Sequence, residues 1–193
     1  WKGIFYPDKM PQRQWFEYYS SRFHTLELNV TFYRFPQLPF LENWYAKSPD
    51  HFSFAVKVPR LITHYKQFKD SQSLLTDFYT TVRKGLQDKL GPVLFQLPPQ
   101  YQFTAERLQH IISQMDQSFD NVIEFRHITW WNDSVKKALA EKNITFCGIS
   151  HPRLPDEVVV NTGLVYFRFH GVPDLYYSSY PDKELKRVAD AIR

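Results

Sequence analysis

Asn121-Val122-Ile123-Glu124-Phe125-Arg126 reads as a β-strand from its β-branched and aromatic residues. Side chains alternate along a strand, so Val122, Glu124 and Arg126 share one face and Ile123 and Phe125 the other. An ordinary half-buried strand sets apolar residues on one face and expendable polar ones on the other. Here a carboxylate and a guanidinium stand two apart on one face, with His127 and Trp130-Trp131 following. Val165-Tyr166-Phe167-Arg168-Phe169-His170-Gly171 repeats the pattern, with Arg168 and His170 on one face and Phe167 and Phe169 on the other.

Outward from these strands the chain alternates helix and strand. A loop over Trp1–Pro7 and a helix over Pro11–Arg22 precede a strand at His24–Asn29, with Thr25, Glu27 and Asn29 facing one way. Thr31–Pro36 reads as an aromatic loop and Pro39–Lys47 as a short helix. Phe52–Val58 is a strand that turns Lys57 to the face opposite Phe54 and Val56. A loop containing Thr63-His64 leads to the longest helix, Ser71–Leu90, striped by Leu74, Leu75, Phe78, Tyr79, Val82 and Leu86. Val93–Leu97 is a strand with Gln96 near its end, and Thr104 caps the helix that follows. After Asn121–Arg126 come a helix capped by Asn132 or Asp133, a strand at Ile144–Ile149, an irregular stretch with a short strand at Val158–Val160, a strand at Val165–His170 and a helix at Asp182–Ile192. This order implies parallel strands joined by right-handed crossovers, an α/β fold. No Gly-x-Gly-x-x-Gly or Walker loop follows any strand, which argues against a dinucleotide or P-loop site.

Length and composition fit this picture. The chain has 193 residues, enough for one core, and is read as a single domain over 1–193. Charged residues make up 23% and hydrophobic ones 43%, which excludes wholesale disorder. The formal charge of +4 permits anionic partners without diagnosing nucleic acid. A single cysteine, Cys147, precludes an internal disulfide and fits a reducing, cytoplasmic setting. No apolar run approaches the roughly 20 residues that span a bilayer, so no membrane association is expected. Both ends read as cuts through a larger domain.

The polar residues are placed with a bias. Strand after strand is apolar early and polar at its carboxyl end: Glu27 and Asn29, Lys57, Gln96, Glu124 and Arg126, then Arg168 and His170. In a parallel barrel those ends meet at one mouth, where catalytic groups sit. Static ion pairs bracing the wall are the competing explanation, although burying several charges costs desolvation that pairing often fails to recover. Glu27 and Glu124 face Lys57, Arg126 and Arg168, an excess of about one positive charge. That balance favours a phosphate or carboxylate ligand. Glu27 or Glu124 is then the candidate general base and His170 the acid. Asn29, Tyr33, Lys57, His64, Gln96, Arg126, Trp130 and Arg168 are candidate substrate-binding residues. No metal site is assigned and the cofactor is unknown.

The pieces Trp1-Lys2-Gly3-Ile4-Phe5-Tyr6-Pro7, Glu27 to Tyr33, Phe52 to Lys57, Thr63-His64, Leu90 to Pro99, Glu124-Phe125-Arg126 with Trp130, and Arg168 to Gly171 run in order over nearly the whole chain. With them the sequence resembles the YecE-like family, a domain of unknown function. The resemblance implies a TIM-barrel-like fold that lacks its first and last strands here, and it supplies no reaction. Open sheet edges would make the complete chain the more stable one.

Three functional readings stay open. The first is an enzyme or ligand-binding barrel for a small anionic metabolite. The second is a metal-dependent enzyme using Glu27, Glu124, His64 and His170, for which no ligand spacing speaks. The third is a nucleic-acid-binding module, whose bland competitor is a solvated basic surface at Arg83-Lys84, Lys136-Lys137 and Lys186-Arg187.

Overall fold

The structure, a computed structural model, describes residues 1–193. Its strands are β1 (Thr25–Leu28), β2 (Ser53–Lys57), β3 (Leu90–Gln96), β4 (Asn121–Glu124), β5 (Thr145–Phe146), β6 (Gly148–Ser150) and β7 (Phe167–Phe169). Its helices are α1 (Trp15–Ser20), α2 (Val30–Tyr33), α3 (Leu38–Lys47), α4 (Gln72–Leu86), α5 (Ala105–Gln114), α6 (Asp133–Ala140) and α7 (Asp182–Ile192). No helix is long and apolar enough to cross a membrane.

β1 to β5 form a 5-stranded parallel sheet in sequence order, and β6 and β7 a 2-stranded parallel one. Only Cys147 separates β5 from β6. Its N–H donates to Ile123 O on β4 at 2.8 Å, and the next N–H, of Gly148, donates to Tyr166 O at 2.9 Å. The strand expected at Ile144–Ile149 therefore exists but divides its ladder between two neighbours. A Cβ on Gly148 would lie 2.6 Å from Glu157 O, so this crossing requires glycine.

The alternation of the strands separates two cores. Phe54, Val56, Phe95, Ile123, Phe125 and Phe146 face the helices and meet the buried stripes of α4 and α5. Leu94, Val122, Cys147 and Ile149 face the other way, into a smaller cluster joined by Leu164 and Tyr166. Thr104 caps α5 by accepting from Arg107 N at 3.1 Å, and Asn132 caps α6 by accepting from Val135 N at 3.0 Å.

Four expectations change. The sheet does not close into a barrel: β1 pairs only with β2, β7 only with β6, and a cleft of about 490 Å³ lies between Thr25–Glu27 and Leu164–Arg168. Thr31–Pro36 is not all loop, because α2 occupies its start. The Thr63-His64 loop winds into a π-helical turn over Leu61–Tyr65. Val158–Val160 is not a strand; only an isolated antiparallel bridge, Ile149 to Glu157, forms there. Asn161 explains this locally, since its side chain takes over backbone bonding to Ile144 O and Phe146 N at 2.9 and 2.8 Å.

Candidate functional site

The inward faces of β1, β2, β3, β4 and β7 carry the polar residues, and the register brings them together. Gln96 lies beside Glu124, and Lys57 beside Leu94. Glu124 is fully buried. Its Oε1 accepts from Arg126 Nε and lies 3.2 Å from His170 Nε2, while its Oε2 accepts from Arg168 Nη1. Arg168 also donates from Nη2 to Glu27 Oε1 at 2.7 Å, and Tyr166 donates its hydroxyl to Glu27 Oε2 at 2.7 Å. One chain of charges thus runs from β1 to β7 and on to β4.

Burial alone would raise the Glu124 carboxyl, but the hydrogen bond to His170 and the Arg168 and Arg126 charges hold it well below the usual carboxylate range. Burial would weaken the Arg168 guanidinium, yet Glu124 and Glu27 keep it firmly protonated. Burial pulls His170 below an ordinary histidine despite its contact with Glu124. His64 is lowered to about 4, first by burial and then by the charges of Lys57, Arg126 and Arg60. Both imidazoles are neutral near pH 7.

Lys57 is the odd cation. It is buried, 6% exposed, and its Nζ donates to Gln96 Oε1 at 2.6 Å and lies 4.2 Å from the centre of the Phe32 ring. Thr31 fixes the strand end by donating to Lys57 O at 2.6 Å. Arg126 is nearly as buried, and its Nη1 makes no hydrogen bond within the chain. Arg126 and Gln96 line a cleft of about 670 Å³ whose other walls are Pro99, His151, Pro152, Arg153 and the segment Pro173–Tyr177. These residues follow β3, β4, β6 and β7, so the cleft opens at the carboxyl ends of the strands.

The structure therefore joins Glu27, Arg168, Glu124, Arg126 and His170 in one network and sets the Lys57–Gln96 pair beside it, Gln96 next to Glu124 in the sheet. His64 lies at the edge of this pair, sharing the Phe32 ring with Lys57 at 5.0 Å between ring centres. Tyr33 is 68% exposed and packs on Arg60. Asn29 is exposed just after β1. Trp130 is placed elsewhere. It is fully buried on the helix side of the wall, stacked on Phe125 at 4.2 Å and donating to Tyr101 O at 2.6 Å. Sequence reasoning passed over Tyr166, although it shares a face with Arg168 and His170. It also passed over His151, Arg153 and Pro173–Tyr177, which lie in stretches without periodicity.

Comparison with known proteins agrees with this architecture. The family model described as "Protein of unknown function DUF72" matches residues 1–193. UPF0759 protein YunF of Bacillus subtilis (strain 168) is 28% identical over 134 residues, which is 66% of this chain and 48% of that protein. UPF0759 protein YecE of Escherichia coli (strain K12) is 28% identical over 112 residues, 58% of this chain and 41% of that protein. The matched stretches thus span under half the length of these curated relatives. The crystal structure of a DUF72 family protein from Thermotoga maritima MSB8 superposes with a TM-score of 0.87 at 26% identity, covering 100% of this chain and 81% of that one. A DUF72 family protein from Enterococcus faecalis V583 superposes with a TM-score of 0.76 at 22% identity, over 90% of this chain and 78% of that one, a likeness of fold. With that family model matching its whole length and YecE-like UPF0759 proteins among its relatives, the chain belongs to the DUF72 family.

Proposed function

We propose that the mouth binds a small anionic metabolite, bearing a phosphate or a carboxylate, and performs acid–base chemistry on it. The observation that carries this reading is Arg126: its Nη1 is uncommitted and it lines the 670 Å³ cleft. Arg153 and His151 line the same cleft, with Asp174 as the opposing charge. A guanidinium already oriented by Glu124 and His170 is prepared to present its remaining edge to a phosphate or carboxylate. Arg168, bound to two carboxylates, orients the group rather than meeting the ligand.

The roles follow from the charge states. Glu124 and Glu27 hold the arginines, and so strongly stabilised a carboxylate as Glu124 is a poor base. His170 is the better proton carrier: it is neutral and it contacts both Glu124 and Arg126. A divalent cation would have to displace Arg126 and Arg168 from the same carboxylate oxygens, so the geometry lends a metal-dependent reading no support. We further infer that the two parallel sheets are arcs of a TIM-barrel-like wall, with a small-molecule site at its carboxyl mouth in a cytoplasmic protein.

A thermal-shift panel on the full-length protein tests the reading. Phosphate, sulfate, phosphosugars, carboxylates and divalent metals would be compared at matched ionic strength. A ligand at 100 times its Kd adds about 2.7 kcal/mol. Stabilisation by anions is expected; stabilisation by metals alone would reject it.

A further inference from the structure

Lys57 and Lys89 are both buried lysines, at 6% and 5% exposure, and they are held differently. Lys89 donates to two backbone carbonyls, Tyr45 O at 3.0 Å and Ser48 O at 2.7 Å, as a lysine that braces a fold does. Lys57 has three N–H bonds to place and one amide oxygen to receive them. No carboxylate lies within ion-pair distance, although Glu27 and Glu124 are in the adjoining network and are taken by arginines. A fold that wanted only a braced cation would have given Lys57 one of them.

We propose that Lys57 is a nucleophilic amine that forms an imine with a ligand whose carbonyl carbon lies close to its anionic group, an oxo acid or a phosphorylated aldehyde or ketone. This rests on the anion-binding reading of the mouth. The placement supports it. Lys57 stands behind the cleft wall: its Nζ donates to Gln96 Oε1 at 2.6 Å, and Gln96 lines the cleft with Arg126, so a carbonyl on an anion held by Arg126 meets Nζ where it displaces the Gln96 amide. The Phe32 ring covers Nζ on another side, with its centre 4.2 Å away.

Burial, followed by the charge of Arg168, lowers the Lys57 ammonium to about 8. At pH 7.5 roughly a quarter of such amines are neutral, against about a thousandth for an ordinary lysine. In the reaction the neutral amine's lone pair attacks the carbonyl carbon and the C–O π pair moves to oxygen, which takes a proton. Nitrogen loses a proton to solvent or a neutral imidazole. Protonation of the carbinolamine hydroxyl then releases water and leaves a C=N bond. No redox partner is required.

The test uses the full-length protein with pyruvate, with dihydroxyacetone phosphate, and with acetone as a neutral control, each followed by sodium borohydride. Hydride adds to the imine carbon and a proton to nitrogen, leaving a stable secondary amine that intact mass and peptide mapping locate. The expected result is one adduct per chain, on Lys57, with one or both anionic carbonyls and not with acetone. It is lost in Lys57→Arg and reduced about tenfold in Arg126→Lys. Pyruvate without dihydroxyacetone phosphate assigns a carboxylate substrate, and the reverse a phosphate. Adducts spread over exposed lysines would overturn the proposal. Protection of the protein by both probes against heat, without an adduct, overturns the imine and leaves the anion site standing. Neither protection nor adduct removes both.

Discussion

Arg168 on β7 donates to Glu27 on β1 across 2.7 Å, joining the first and last strands where no backbone ladder does. The same guanidinium holds the buried carboxylate of Glu124, so a single side chain fixes three strands. The sheet is open in its backbone and bridged in its charges.

Removing that bridge leaves Glu27 without its counter-ion and the buried Glu124 with Arg126 as its one remaining guanidinium. Arg168→Ala is expected to lower stability by about 3 to 5 kcal/mol. Glu27→Gln, which keeps the shape and sits nearer solvent, should cost about 1 to 2 kcal/mol. Denaturant unfolding of both singles and the double variant checks this, and the double should cost less than the sum of the singles. Additive costs would mean that the two residues act independently.

The neutral histidines give stability a pH dependence. His64 is lowered to about 4 in the fold, so the unfolded chain binds more protons between about pH 4 and 6.5. Stability from this group should be complete above pH 6.5 and fall with pH across that window, by roughly 1 to 3 kcal/mol for a half-buried ring. His64→Gln should flatten the profile there, as read by melting at successive pH values. Below about pH 4.3 the depressed Glu124 carboxylate adds a second loss, which Glu124→Gln removes.

Trp130 and Tyr33 separate packing from surface. Trp130→Ala should cost about 3 to 5 kcal/mol through loss of the stack on Phe125 and the bond to Tyr101 O. Tyr33→Ala should change stability by less than about 0.5 kcal/mol. Chemical denaturation distinguishes them. A neutral Trp130→Ala would place that ring at the mouth instead.

A buried ammonium without a carboxylate costs stability that a functional site can require. Lys57→Met should therefore raise stability by about 1 kcal/mol at pH 7, with the gain shrinking above pH 8 as the wild-type amine loses its proton. A Tm that falls in this variant would show that the Gln96 contact is structural.

Much of this was legible from alternation. The period of two placed Glu124 opposite Phe125 and Arg168 opposite Phe169, and the structure puts those pairs on opposite faces. Thr104 and Asn132 were readable as caps because their oxygens meet a free N–H wherever a helix starts there. Trp130 was not, because it follows a strand end, where period no longer says which side of the wall a ring takes. Sheet closure was not either: it depends on accumulated twist and on which backbone groups meet, and here side chains meet instead. The loop segments His151–Arg153 and Pro173–Tyr177 form much of the cleft without any periodic pattern, so only the fold reveals them.

The central claim is that Arg126 presents an anion site at the mouth. Calorimetric titration of the full-length protein with the most stabilising anion of the thermal panel, wild type against Arg126→Lys, tests it most directly. Lysine keeps the charge and loses the planar fork. An affinity about tenfold weaker in a variant that still unfolds cooperatively is the expected result. Equal affinities for the two proteins would contradict the account.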